Sequence, residues 1–263
     1  KRIVEFIKKI NKIRDSLISG RSRAWLRFNT INRGDAVKIL DNLSNILLYR
    51  QTSEFHETFK GKPAVIVCPG PSLKKNIKSL KKINGKALII CVLHALKPLK
   101  AAGIIPDIVI HTDPQNLKSL HFEKDGELVS QYDHWMNGED FEGVSYFITS
   151  ATGSPDNFDI PVKEVLWMSC GIRIGDFLPL DVFDYTRVGG SVSHSAFDLA
   201  LELGCSKVAL VGQDLAFGEN GELYSKEARL DMSKQRLDSL GERFKVKGYY
   251  GKKVDTNASF SFF

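Results

Sequence analysis

The hydrophobic rhythm of the chain changes near Lys62. Before that point, apolar residues recur at helical spacing: Ile3, Ile7, Ile10, Leu17 and Ile18, then Val37, Leu40, Leu43 and Leu47. A stripe of this kind predicts amphipathic helices, the second over Asp35 to Tyr49. After that point, short and nearly continuous apolar runs alternate with helical stretches. The runs at Ala64–Cys68, Ala87–Val92, Asp107–His111, Val144–Thr149, Glu164–Trp167 and Lys207–Val211 read as parallel strands covered on both faces. Leu73–Ile83, Ala95–Ala102 and Val192–Leu203 read as helices, with Gly103 and Gly204 at their C-cap positions. The alternation predicts an α/β fold: a Rossmann-like, mainly parallel sheet with helices on both faces and an N-terminal helical arm. Residues 119–142 and 152–186 are mixed and loop-rich, and are expected to lie over one sheet edge, where they can form a lid. A last short strand is expected around Lys253–Asp255.

Charge divides the chain in the same way. Residues 1–30 hold nine Lys or Arg against Glu5 and Asp15, so this segment is +7 while the whole chain is +6. The rest is close to neutral, so the basic balance belongs to the arm and gives no reason to expect nucleic acid as a partner. A basic helical face is ordinarily a solvated one, though it can also dock an acidic partner. No apolar run is long enough for a membrane span, and Cys68, Cys91, Cys170 and Cys205 are too scattered for a disulfide frame or zinc site. They read as reduced thiols in a cytoplasmic protein. The chain lacks an initiating Met and ends on Phe260-Ser-Phe-Phe263, so the expected division is a basic helical region over 1–59 and a Rossmann-like domain over 60–263, cut short at its C-terminus.

In an open α/β sheet, ligands bind beyond the carboxyl ends of the strands. Four turns bring polar residues to that rim. The first, Pro69-Gly70-Pro71-Ser72, runs into a helix carrying Lys74, Lys75, Lys78, Lys81 and Lys82. A tight turn, a hydroxyl and a helix N-terminus can hold phosphate, because first-turn N–H groups are unpaired and the dipole is positive there. A plain Ser cap explains the same residues. In the second turn, His111-Thr-Asp113-Pro-Gln115, the stretch Asp113-Pro-Gln115 can bind a ribose, a base or a metal, or can cap the next turn. The third, Gly189-Gly190-Ser191, opens a helix and either cradles phosphate or lets backbones pack. The fourth, Gly212-Gln213-Asp214, is the most polar stretch that directly follows an apolar strand. His194, one turn into a helix, is a candidate base or phosphate ligand, or else a structural residue. His56, His121 and His134 have no evident partners in the sequence. No P-loop, no G-x-G-x-x-G after the first strand, no G-x-S-x-G elbow and no Asp-x-Asp pair is present. A metal-independent transfer, with phosphate charge met by N–H groups and Lys or Arg, is therefore expected.

Taken in order, Gly70-Pro71-Ser72-Leu73, Leu96-Lys97-Pro98-Leu99, Gly103-Ile-Ile-Pro106-Asp107, Asp113, Gly189-Gly190-Ser191-Val192 and Val211-Gly212-Gln213-Asp214-Leu215-Ala216-Phe217 resemble the central domain of the Maf proteins. Those motility-associated bacterial proteins are regarded as flagellin glycosyltransferases. The same family, formerly a domain of unknown function, includes the MptE-like archaeal hydroxymethylpterin pyrophosphokinases. The likeness spans about residues 60–257 and implies a fold close to bacterial sialyltransferases, whose Gly-Pro-Ser-Leu turn lies at the CMP-sugar site. Carried over, Gly70, Pro71 and Ser72 contact the nucleotide phosphate or ribose, and the Gly190-Ser191 and Gly212-Gln213-Asp214 turns line the same cleft. Asp113 and Gln115 are further nucleotide-binding candidates from the second turn. Asp214 and His194 are the candidate catalytic bases. Two departures stand out: Pro69 replaces the Asn that precedes this turn in sialyltransferases, and Gly248–Asp255 lacks their late His. The resemblance implies transfer of a nonulosonic acid from a CMP-activated donor to Ser or Thr of flagellin or a similar acceptor, with no cofactor required. The alternatives are an ATP- and Mg²⁺-dependent pterin pyrophosphokinase with Asp113 and Asp214 on the metal, and a non-catalytic nucleotide-sugar scaffold.

Overall fold

The computed structural model describes residues 33–124, 127–170, 191–225, 228, 243–248 and 251–257. The expectations for residues 1–32, for the 171–186 part of the lid segment, and for Gly189, Gly190 and Phe260–Phe263 lie outside the described residues.

In chain order the elements begin with α1 (Arg33–Asp41), α2 (Leu43–Leu48), β1 (Pro63–Val67), α3 (Leu73–Ile83), β2 (Leu88–Val92), α4 (Leu96–Ala101) and β3 (Ile108–His111). A small hairpin of β4 (His121–Lys124) and β5 (Glu127–Ser130) leads to α5 (Gln131–Trp135), β6 (Tyr146–Ser150) and β7 (Glu164–Met168). The last elements are α6 (Val192–Glu202), β8 (Lys207–Val211), β9 (Arg243–Lys247) and β10 (Lys253–Asn257).

Six described strands form one parallel sheet in the order β7-β6-β3-β2-β1-β8. The central strand β2 is buried along its whole length, and Ile66, Ile89, Ile90, Val109, Ile110 and Phe147 are fully enclosed. This is the continuous apolar signature of a strand covered on both sides. β8, at the sheet edge, departs from it: Lys207, Ala209 and Leu210 are exposed. α6 lies across β1, β2 and β3 and buries Ala196, Leu199 and Ala200. Gly103 and Gly204 follow the ends of α4 and α6 with φ of +68° and +80°, the left-handed turn a C-terminal glycine permits.

The helix expected over Asp35–Tyr49 is broken at Asn42. That residue is completely buried, and its carboxamide donates to the carbonyls of Ala151 (3.1 Å) and Gly153 (2.8 Å). Just beyond, Trp167 of β7 donates its indole N–H to Tyr49 and its backbone N–H to Arg50, and Gln51 forms a parallel bridge with Trp167. Residues 57–61 then bond to the C-terminal end of α6 through Glu57 to Glu202, Phe59 to Leu203 and Gly61 to Gly204. Residues 42–61 are thus tied to the rest of the domain by the Asn42 side chain, by backbone contacts of Arg50 and Gln51 with β7 and by backbone bonds to the end of α6, and β1 follows without a linker.

Candidate functional site

The strand order places a topological switch point between β1 and β8. From β1 the chain winds outward through β2, β3, β6 and β7, and β8 returns to its other side. The crevice at the carboxyl ends of such a pair is where open α/β sheets bind ligands. A cleft of about 230 Å³ lies there. It is lined by Gly70 after β1, His111 at the end of β3, Asp113 and Gln115 after it, Ser191 at the start of α6, and Gln213 and Asp214 after β8.

The two turns flanking the switch point are locked together. Cys68 and Gly70 donate backbone N–H groups to the carbonyls of Val211 (2.8 Å) and Gly212 (2.9 Å). A Cβ on Gly70 would run into the Asp214 carboxylate and the Gly212 carbonyl. Only glycine fits between them. The Asp214 carboxylate reaches 142 residues back along the chain and accepts the Ser72 N–H at 2.9 Å. It therefore occupies the N-terminus of α3, where the dipole favours an anion. Ser72 itself makes no side-chain cap bond. The hairpin β9–β10 braces this turn, with Phe217 N–H bonded to Asp255 O and Thr256 Oγ1 to Leu215 O. Leu215 is held at φ +49°, a strained conformation for a non-glycine residue beside a candidate site.

Three of the expected contacts do not line the cleft. Pro71 is buried beneath the turn, Ser72 faces the Asp214 carboxylate, and His194 lies one turn along α6 from the opening. Lys74, Lys75, Lys78, Lys81 and Lys82 are all exposed on α3, and no Lys or Arg is among the described lining residues. The anion-binding features that do face the cleft belong to α6. Its N-cap Ser191 and first-turn Ser193 present hydroxyls 3.0 Å apart.

A family model described as "6-hydroxymethylpterin diphosphokinase MptE-like" matches residues 38–220. The chain belongs to the MptE-like family. A curated relative, the 6-hydroxymethyl-7,8-dihydropterin pyrophosphokinase of Methanocaldococcus jannaschii, is 29% identical over 215 residues, covering 78% of this chain and 86% of the relative. Among solved structures, the Maf glycosyltransferase from Magnetospirillum magneticum AMB-1 matches with a TM-score of 0.57 at 18% identity. That match covers 89% of this chain and 37% of the other, so the chain spans well under half of that protein. The likeness establishes the shared Rossmann-like fold.

Two carboxylates of this MptE-like cleft have an oxygen to spare. Asp113 commits Oδ1 to the Gln115 N–H at 2.9 Å, and Asp214 commits Oδ2 to Ser72. Mg²⁺ is commonly held by one or two carboxylates plus substrate phosphates, so each of these residues offers an oxygen of the kind magnesium takes. Among the described residues, no group of three or more His, Cys, Asp or Glu is placed to hold a metal by itself. Cys68, also on the wall, is no nucleophile. Burial, with the Asp214 charge adding to it, pushes its thiol up to about 12, which leaves almost no thiolate at neutral pH.

Two lining residues, His111 and Gln131, have a stronger claim than the sequence gave them. The sequence placed His111 at a strand end without assigning it a role, and did not single out Gln131. Burial lowers the His111 pKa from 6.5 to about 4. Between those values the unfolded chain takes up a proton that the folded chain refuses, so stability falls as pH falls through that window. Measured by urea denaturation, the wild type should lose about 2–3 kcal/mol more than His111→Leu between pH 7 and pH 4.5. Equal losses would remove His111 from the acid response.

Proposed function

We propose that the protein is a transferase that draws its group from a nucleoside phosphate bound in this cleft, and that the reaction is glycosyl transfer from a CMP-activated nonulosonic acid to a Ser or Thr hydroxyl. The observation that carries this reading is the donor set. The cleft offers the α6 N-terminus with Ser191 and Ser193, and no basic side chain among the described lining residues. Neutral donors of this kind match the single phosphate of a CMP ester better than a triphosphate. The Maf glycosyltransferase whose fold this chain shares supports the reaction class. In the reaction the acceptor oxygen attacks the anomeric carbon while the bond to the CMP phosphate breaks. The acceptor proton goes to Asp214, and the charge of the departing CMP is met by the α6 N–H groups and hydroxyls. A flagellin-like protein is the proposed acceptor.

A second reading is favoured by the pair Asp113 and Asp214 and by the printed activity of the archaeal relative. In it, the pterin hydroxyl takes the diphosphate of Mg²⁺–ATP and AMP leaves, and magnesium held by either carboxylate would offset phosphate charge that no Lys or Arg among the described lining residues meets.

Calorimetry separates the two. CMP binding in the micromolar to low millimolar range, unchanged by EDTA, is expected, with CMP released from a CMP-nonulosonic acid in the presence of acceptor. Indifference to CMP together with Mg²⁺-dependent ATP binding would move the assignment to the second reading. Ligand binding without turnover on either substrate set would leave a scaffold.

A further inference from the structure

The cleft wall contains two buried side chains that each carry a polar atom without a hydrogen-bond partner. His111 is 5% exposed and Gln131 is 2% exposed. The Nε2 atom of each is enclosed and makes no hydrogen bond, and both residues line the cleft. Native proteins seldom bury a polar group without a partner, since the lost solvation is not recovered. Both side chains sit on fixed supports. His111 ends β3, and Gln131 opens α5 with its backbone N–H bonded to Leu120 O at 2.6 Å.

The surroundings define what such atoms can receive. Val92, Leu93, Ile110, Leu117 and Leu223 make the nearby wall apolar, and the rings of His94 and Tyr224 meet edge to face with centroids 6.1 Å apart. A sugar presents hydroxyls in every direction and would leave them unpaired against this wall. A planar heteroaromatic ring presents two apolar faces and a hydrogen-bonding edge, which suits a mostly apolar wall with two isolated polar atoms.

We infer that this part of the cleft is a subsite for a planar heteroaromatic ring, read along its polar edge by His111 and Gln131. The inference rests on the reading that the cleft takes a nucleotide, and it assigns the residues that hold the base. The Gln131 amide donates to a ring nitrogen or exocyclic oxygen, and His111 Nε2 bonds the neighbouring edge position. Cytosine, adenine and a pterin all carry such an edge, so the chemistry is shared and the experiment distinguishes the source.

The test uses cytidine, adenosine and 6-hydroxymethylpterin as uncharged ring probes and ribose 5-phosphate as a probe without a ring. They are titrated into the wild type, Gln131→Met and His111→Leu. At least one ring compound should bind the wild type, and each variant should weaken it about tenfold or more. Ribose 5-phosphate binding should not change. The ligand-free variants supply a readout that a structural role would not give. Replacing an unpartnered buried polar group by an apolar one of similar size should leave the melting temperature at pH 7.5 unchanged or higher. The inference is overturned if no ring compound binds, if binding ignores both substitutions, or if both ligand-free variants melt well below the wild type. Donor turnover is scored separately. Ring binding that depends on His111 and Gln131 without any turnover would remove the transferase reading and keep the subsite. Turnover with ring binding indifferent to both variants would do the opposite.

Discussion

Gly212→Ala should be the most damaging single methyl in the described part of the protein. Gly212 has φ +72°, and a Cβ there would be driven into the Cys68 carbonyl, with the Leu73 Cβ at 3.2 Å. The obstacle is backbone, held by the Cys68 N–H to Val211 O bond, so it cannot move aside as a flexible side chain would. Left-handed φ alone costs an alanine about 1 kcal/mol, and overpacking against fixed atoms adds about 1–3 kcal/mol. A loss of about 2–4 kcal/mol is therefore expected in urea denaturation. Gly103→Ala is the matched control. Its φ is +68°, but nothing lies within 4 Å of the added Cβ. It should lose only the conformational part, about 1 kcal/mol. If the two variants prove equally stable, the β1 and β8 turns are not packed as tightly as described.

Asp214→Asn should give the largest loss of activity. Asparagine keeps an oxygen to accept the Ser72 N–H, so the α3 N-terminus remains capped, and the lost charge–dipole attraction is worth about 0.3–1 kcal/mol. What it cannot do is take a proton from an acceptor hydroxyl or hold a divalent cation with a charged oxygen. A fall in kcat of about 100-fold or more is expected with only a small change in melting temperature. Asp113→Asn then separates the two donors. With a CMP donor it should leave turnover insensitive to EDTA and within a few fold of the wild type. With Mg²⁺–ATP it should raise the magnesium concentration needed for half-maximal rate. Full activity in Asp214→Asn would remove this carboxylate from the reaction altogether.

Much of the fold was readable from local pattern. The Leu73–Ile83 helix and the Lys207–Val211 strand have the bounds that their periodicity indicates, and the other sheet strands and helices differ by one or two residues at their ends. The reason is that apolar spacing reports which faces are buried, and burial on two faces fixes a strand in a parallel sheet. Strand-end turns were readable too, since sheets of this class bring them to one rim. Gly70, Asp113, Gln115, Ser191, Gln213 and Asp214 do share one cleft. The helix break at Asn42 was not readable, because its partners are carbonyls more than a hundred residues away.

Amino-acid order alone therefore determined the six strands of the parallel sheet, the helices that alternate with them and the set of turns at the sheet's carboxyl rim, because each depends on neighbours within a few residues. The β4–β5 hairpin, α5 and β9, in stretches expected to be loop-rich or left unassigned, were not read from it. Tertiary structure decided which of those turns face a ligand. It turned Asp214 onto the α3 N-terminus that the sequence had offered for phosphate, kept Ser191 on the cleft and joined Ser193 to it, and enclosed His111 with Gln131. Those outcomes depend on long-range hydrogen bonds and on which polar atoms burial leaves unpaired, and neither is written in the spacing of residues along the chain.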